Sequence, residues 1–202
     1  MRSELGYICR DIQYTAAMTD QTTARAELRA ATHDQHERVD RLFSHVRLDD
    51  RQDYGAFLGA QAAAHIPVER ALADAGIADI APDWETRQRA DLLRADLATL
   101  GLAVPDPAGA IRFESEAALL GGLYVLEGSR LGGTMLKRSV PSDFPTRFLG
   151  GGDSAAWRNL LQMLDARLDT ALKRSVAVQA ARNVFALFEI SGHRWVRTGT
   201  FG

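Results

Sequence analysis

The sequence predicts an all-α, single-domain helical bundle, and three observations lead there. Apolar residues recur at helical spacing in successive stretches, each opened by a capping side chain or closed by glycine or proline. No stretch alternates as a strand does, and no internal repeat is present. The 202 residues, 46% apolar and 25% charged, suffice for one domain with a substantial core.

Residues 1–20 show no sustained period and are expected to be a flexible tail, with Met18 as an alternative start and the folded domain at 21–202. The first helix begins at Thr22 or Thr23. Leu28, Thr32, Val39, Phe43 and Val46 form its inward stripe. His36 falls within about 60° of the stripe's centre, His33 about twice as far round and His45 on the far side. Asp40, one turn on, is spaced to orient the His36 imidazole. A second helix runs from about Asp50 into the seventies, with Tyr54, Phe57, Leu58, Gln61, His65, Val68 and Leu72 inward and a kink expected at Pro67. His65 and Glu69 read as a surface or boundary pair. A third helix is expected from Trp84 to Leu100, stopped by Gly101 and Pro105, with a loop over residues 101–113.

The next stretch, Ala117 to Lys137, is a helix capped by Ser115 and followed by Pro141. Yet it holds Gly121, Gly122, Gly128, Gly132 and Gly133. Each costs about 0.8–1.0 kcal/mol in a helix interior relative to alanine, roughly 4–5 kcal/mol in all. Typical domain stability is only about 5–15 kcal/mol. At 100° per residue, Gly121, Val125, Gly128 and Gly132 share one face. A face without side chains admits either a second helix or a planar ligand, and periodicity does not separate the two. After a loop, Asp153 or Ser154 caps a helix with the stripe Trp157, Leu160, Leu161, Leu164 and Leu168. A last helix, about Val176 to Trp195, buries Val184, Phe185, Leu187 and Phe188.

No apolar run is long enough to span a membrane, and the N-terminus lacks the order of a secretory signal. The one cysteine, Cys9, excludes an intrachain disulfide and suits a reducing cytoplasm. A net charge of -2 gives no electrostatic case for nucleic acid. Residues 1–129 carry a net of -8 and residues 130–202 a net of +6. A basic C-terminal third is a candidate surface for an acidic partner.

The first helix reads LRAATHDQH and the glycine-rich one LEGSRLGG. In that order, with AWRNLLQML and NVFALFE after them, they resemble the haem oxygenase family, particularly its bacterial biliverdin-producing members, over roughly Ala24 to Trp195. The resemblance implies a haem oxygenase-type bundle and conversion of haem, with O2 and electrons, to biliverdin, carbon monoxide and iron. It places the iron ligand on His36, with Asp40 as its partner, and the distal wall on Gly128, Gly132 and Gly133. It assigns Arg29, Tyr124 and Arg158 to the haem propionates. Ser129 stands where many animal members carry an aspartate that organises water. The proton route must then use backbone-held waters, the Ser129 hydroxyl or another side chain. The resemblance further implies an electron donor such as a ferredoxin or similar reductase, and a biliverdin acceptor such as a bacteriophytochrome.

Two other readings stay open at this point. One is a haem carrier or sensor without turnover. The other is a non-haem metal enzyme built on the pairs His36 with Asp40, His65 with Glu69, and Glu189 with His193, although the Glu-x-x-His motif of metal-binding bundles is missing.

Overall fold

A computed structural model describes residues 23–196; the expected tail, with Cys9 and Met18, lies outside the described residues. The helices are α1 (Ala24–Phe43), α2 (Arg51–Asp74), α3 (Trp84–Arg87), α4 (Ala90–Thr99), α5 (Glu116–Leu136), α6 (Ser154–Arg167) and α7 (Ala171–Trp195), with no strand among the described residues.

The five longest start on side-chain caps. Thr23 accepts from the Ala26 amide, Asp50 from Gln52 and Asp53, Ser115 from Ala118, Asp153 from Ala155, and Thr170 from Lys173. Each such cap contributes about 1 kcal/mol. The last helix therefore starts at Ala171, five residues before the expected Val176, because Thr170 supplies the cap.

The expected helix from Trp84 to Leu100 is two helices. Gln88 is extended (φ -64°, ψ 136°), and the amides of Arg89 and Ala90 turn inward to the buried carboxylate of Glu69, at 2.6 and 3.1 Å. A side chain twenty residues upstream thus caps α4. Helix α2, by contrast, runs unbroken through Pro67. Proline has no N–H for the Ala63 carbonyl, and the Ala108 amide donates to that oxygen instead, at 2.8 Å. The bond ties the loop before α5 to the middle of α2.

Helix α7 is the common neighbour of α1, α2 and α5, while α1 and α5 hardly touch each other. Its Val184, Phe185, Leu187 and Phe188 are buried with Leu28, Val68, Leu72, Leu120, Leu123 and Leu160 in the main core. A second cluster packs Phe43, Tyr54, Phe57 and Leu58 with Leu93, Leu97, Phe148 and Leu149.

Contacts along α7 fix the helix directions. Arg174 bonds Glu27, Arg182 bonds the Ala31 carbonyl, Phe185 meets His36, and Gly192 lies against Leu42, so α1 runs parallel to α7. Gly121 of α5 abuts Ala177, and Leu72 lies beside Gly122, whereas Ala60 bonds Ser191. Helix α2 is thus antiparallel to α7. Arg89, held at Glu69, reaches Leu126 and Ser129, so α5 advances from Leu72 towards Glu69 and parallels α7. At about 1.5 Å per residue, Gly128, seven residues beyond Gly121, and Phe185, eight beyond Ala177, stand at comparable heights. His36 and Gly128 therefore flank α7 at the same level, on helices that hardly touch each other.

Candidate functional site

On the α1 side, His36 is half-buried with its ring edge-on to Phe185, centroids 5.9 Å apart. Its Nδ1 lies 3.0 Å from Asp40 Oδ2. The Asp40 hydrogen bond raises the imidazole's pKa, outweighing burial, which lowers it. With Nδ1 so engaged, the nitrogen left for a ligand is Nε2. Four polar clamps set this helix on its neighbours: Arg25 to Asp165, Arg174 to Glu27, Arg182 to the Ala31 carbonyl, and Arg38 to Glu189. His33 pairs with Glu37 at the surface.

The five glycines of α5 divide into two groups. A side chain at Gly121 would run into the backbone of Ala177, and one at Gly122 would meet the Phe113 ring at 2.6 Å. These two exist so that α5 can lie close on α7 and on the preceding loop. A Cβ at Gly128 would be in ordinary contact with Trp157, at 3.8 Å, and one at Gly132 would have nothing within 4 Å. Gly133 is buried, its bare side towards Leu149 at 3.5 Å. The alternatives of helix packing and open face are therefore both realised, in different halves of one helix.

Helix α6 bridges α5 and α1 at one end. Arg167 pairs with Glu116 at the start of α5, and Trp157 packs on Tyr124 with centroids 5.6 Å apart, so α6 is antiparallel to α5 and hence to α1. Arg25 joins α1 to Asp165 of α6. Arg29, a turn beyond Arg25, and Arg158, beside Trp157, are exposed, while Tyr124 is half-buried. The three lie on the three helices that border this end. Two shallow surface depressions, one lined by Asp143, Phe144 and Arg147 and the other by Arg38, His45 and His193, include neither His36 nor an α5 glycine.

The expected surface pair His65 and Glu69 is instead buried, at 1% and 5% exposure. Glu69 is held inward by the α4 amides, and His65 Nε2 lies 3.1 Å from it. Next to them sits a residue the sequence reading passed over. Arg89 is 2% exposed and donates to the Leu126 carbonyl at 2.8 Å and to Ser129 Oγ at 3.0 Å. Ser129 gives its own proton to the same carbonyl, at 2.7 Å. Arg87 and Glu127, also buried, pair at 3.0 Å behind this turn of α5. A break after Arg87 was the missing signal, and it depends on Glu69, far off in sequence.

Burial pushes His65 down to about 4, despite the Glu69 hydrogen bond, which raises it. The folded ring is neutral at pH 7, whereas in the unfolded chain it takes a proton near 6.5. Stability is therefore full above about 6.5 and falls as pH drops towards 4, by on the order of 2 kcal/mol at about pH 5. Denaturant unfolding near neutrality and at about pH 5 measures the loss. His65→Gln should remove most of the difference, and an unchanged difference contradicts the assignment.

The sequence matches no family model. It is 37% identical over 131 residues to a heme oxygenase of Xanthomonas campestris pv. campestris, covering 59% of this chain and 76% of that protein. It is 29% identical over 182 residues to the heme oxygenase PigA of Pseudomonas aeruginosa, covering 84% of this chain and 91% of the relative. The fold superposes on the crystal structure of the NO- and CO-bound heme oxygenase of Neisseria meningitidis with a TM-score of 0.77 and 26% identity, over 88% of this chain and 94% of that one. With the histidine, the bare half of α5 and the bundle all in the order that the resemblance requires, the chain belongs to the bacterial haem oxygenase family.

Proposed function

We propose that this chain opens the haem ring with O2 and externally supplied electrons, giving biliverdin, carbon monoxide and iron, and that haem enters the slot between α1 and α5. The observation that carries the reading is the pairing of His36, whose Nδ1 is taken by Asp40, with an α5 surface at Gly132 where an added Cβ would have nothing within 4 Å. A planar group with an iron centre calls for an imidazole nitrogen on one side and a helix face without side chains on the other.

Haem, when bound, supplies both O2 activation at its iron and the ring that is broken. The protein's part is positioning. Asp40 holds the Nδ1–H of His36, so Nε2 presents its lone pair, and Phe185 limits rotation of the imidazole. Gly128 and Gly132 let the α5 backbone approach closely, which leaves N–H groups and trapped water as hydrogen-bond partners. Gly133 lets the loop at Leu149 close on α5. Arg29, Tyr124 and Arg158 hold the propionates and so fix the in-plane rotation that selects the carbon attacked. The Ser129 hydroxyl already donates to the Leu126 carbonyl, which leaves the proton route to backbone-held water or another side chain.

The basic C-terminal third is less basic in space than in sequence. Arg147, Arg167 and Arg174 pair with Asp96, Glu116 and Glu27 from the acidic part. Lys137, Arg138 and Arg158 are exposed and take no ion pair among the described residues. With Arg158 given to the propionates, Lys137 and Arg138 form the docking edge for an acidic donor such as a ferredoxin, and biliverdin passes to an acceptor such as a bacteriophytochrome.

Incubation with haemin, a ferredoxin-type donor and air, followed by product chromatography, tests the reading. The Soret band should disappear with release of a green tetrapyrrole, and the rate should fall several-fold as ionic strength rises past the range where the Debye length is about 8–10 Å. Intact haem after many donor equivalents would make the protein a carrier, and a rate indifferent to salt would remove the docking edge. A non-haem metal centre gains no support: among the described residues no group of three or more histidine, cysteine or acidic side chains is placed to hold a metal.

A further inference from the structure

Among the described residues Arg89 has the largest of the fully buried side chains, and the mechanism above makes no use of it. It enters the interior because Glu69 draws its amide inward at the α3–α4 break. Its guanidinium stacks over Phe148, 4.7 Å from the ring centroid, and donates from Nη2 to the Leu126 carbonyl and Ser129 Oγ. Burial lowers its pKa to about 10, which leaves it charged at neutrality. A buried charge is costly, and well-packed apolar residues often do as well or better for stability. Packing alone therefore does not account for an arginine here.

What it does touch is the start of the bare half of α5. Two side-chain donors converge on one helix carbonyl, at 2.8 and 2.7 Å, two residues before Gly128. Side chains inserted at a helix carbonyl bend or fix the local turn, and glycine at 128 and 132 removes the side chains that would otherwise resist.

We propose that Arg89 is a positioning residue for the glycine-rich wall. Anchored by Glu69 and Phe148, it fixes the turn at Leu126 and Ser129 and thereby sets how Gly128 and Gly132 face the slot. Ser129 belongs to this anchor and not to proton delivery. The inference rests on the reading of the slot as the haem site, and its first test does not need haem.

Amide hydrogen exchange is compared in the haem-free wild type, Arg89→Met, Arg89→Lys and Ser129→Ala. In Arg89→Met, amides over residues 128–133 should exchange about tenfold faster while those over 117–123 keep their rates, with Arg89→Lys in between. Equal acceleration along all of α5, or none, overturns the proposal. In the haemin-loaded proteins, Arg89→Met should keep the wild-type proximal-ligand spectrum but alter the ratio of biliverdin isomers; an unaltered ratio overturns it. Should Arg89→Met not fold, Arg89→Lys, which keeps the charge with a different donor geometry, carries both readouts. A wild type that leaves haem intact would refute the function proposed for the slot, while the exchange pattern would still decide the role of Arg89.

Discussion

Haemin added to a His36→Ala variant is expected to lose the spectrum of histidine-ligated iron, and ring opening should fall about 100-fold or more. The magnitude follows from the hierarchy of ligand shells. Loss of an outer partner such as Asp40 typically changes metal affinity or activity by about 10–100-fold, and loss of the ligand itself should exceed that. The fold should be little affected, because His36 is half-buried and its one strong partner is Asp40, a turn away on the same helix. Added imidazole should restore part of the spectrum by filling the vacated space. Asp40→Asn should keep iron ligation but weaken it. A His36→Ala protein that matches the parent in spectrum and pigment release would place the ligand elsewhere.

The second large effect concerns stability. Gly121→Ala is expected to destabilise the fold by about 3 kcal/mol, although alanine is the better helix former by about 0.8–1.0 kcal/mol. The new methyl would occupy the place of the Ala177 backbone, and a helix backbone cannot move aside as a flexible side chain can. Helices α5 and α7 would have to separate along one of the largest contacts in the bundle. For a chain of this size the loss corresponds to a melting temperature lower by about 6–12 °C. Thermal unfolding measures it directly, and a Gly121→Ala protein as stable as its parent would mean that the helices are not in close contact there.

The contrast between Gly121 and Gly132 also marks where the sequence stops being informative. Helical periodicity put both on one face, and the cost of five glycines in one helix signalled that bare backbone is required. Which glycine meets a helix and which meets open space depends on where α7 crosses α5, a fact about packing and not about period. Local features were legible for the same reason in reverse. The caps at Thr23, Ser115 and Asp153 act within their own first turns, and the spacing of His36 and Asp40 is set by one helical turn. The break between α3 and α4 was not legible, because the carboxylate that causes it comes from Glu69 on α2. The same long-range contact draws His65 and Glu69 into the interior, where a charged i, i+4 pair would ordinarily be solvated. Arg89 was overlooked because nothing in its own neighbourhood in the chain foretells burial.

The segregation of charge between the two parts of the sequence has a similar lesson. A net of -8 followed by a net of +6 suggests a basic face. Part of that asymmetry is internal complementarity, since the ion pairs of Arg147, in the turn before α6, Arg167 and Arg174 join late segments to earlier helices. Among the described residues, Lys137 and Arg138 are exposed cations without an ion pair, free to meet a partner.

The most direct measurement of the central claim is haemin titration of Gly132→Phe. A Cβ at position 132 would have nothing within 4 Å, so a side chain there starts into open space, and phenylalanine should change the melting temperature little. The ring would instead occupy the space assigned to the macrocycle, and stoichiometric binding at the His36 iron site should be lost. A Gly132→Phe protein that takes up haemin with the parent's affinity and spectrum would show that haem does not lie against this face of α5.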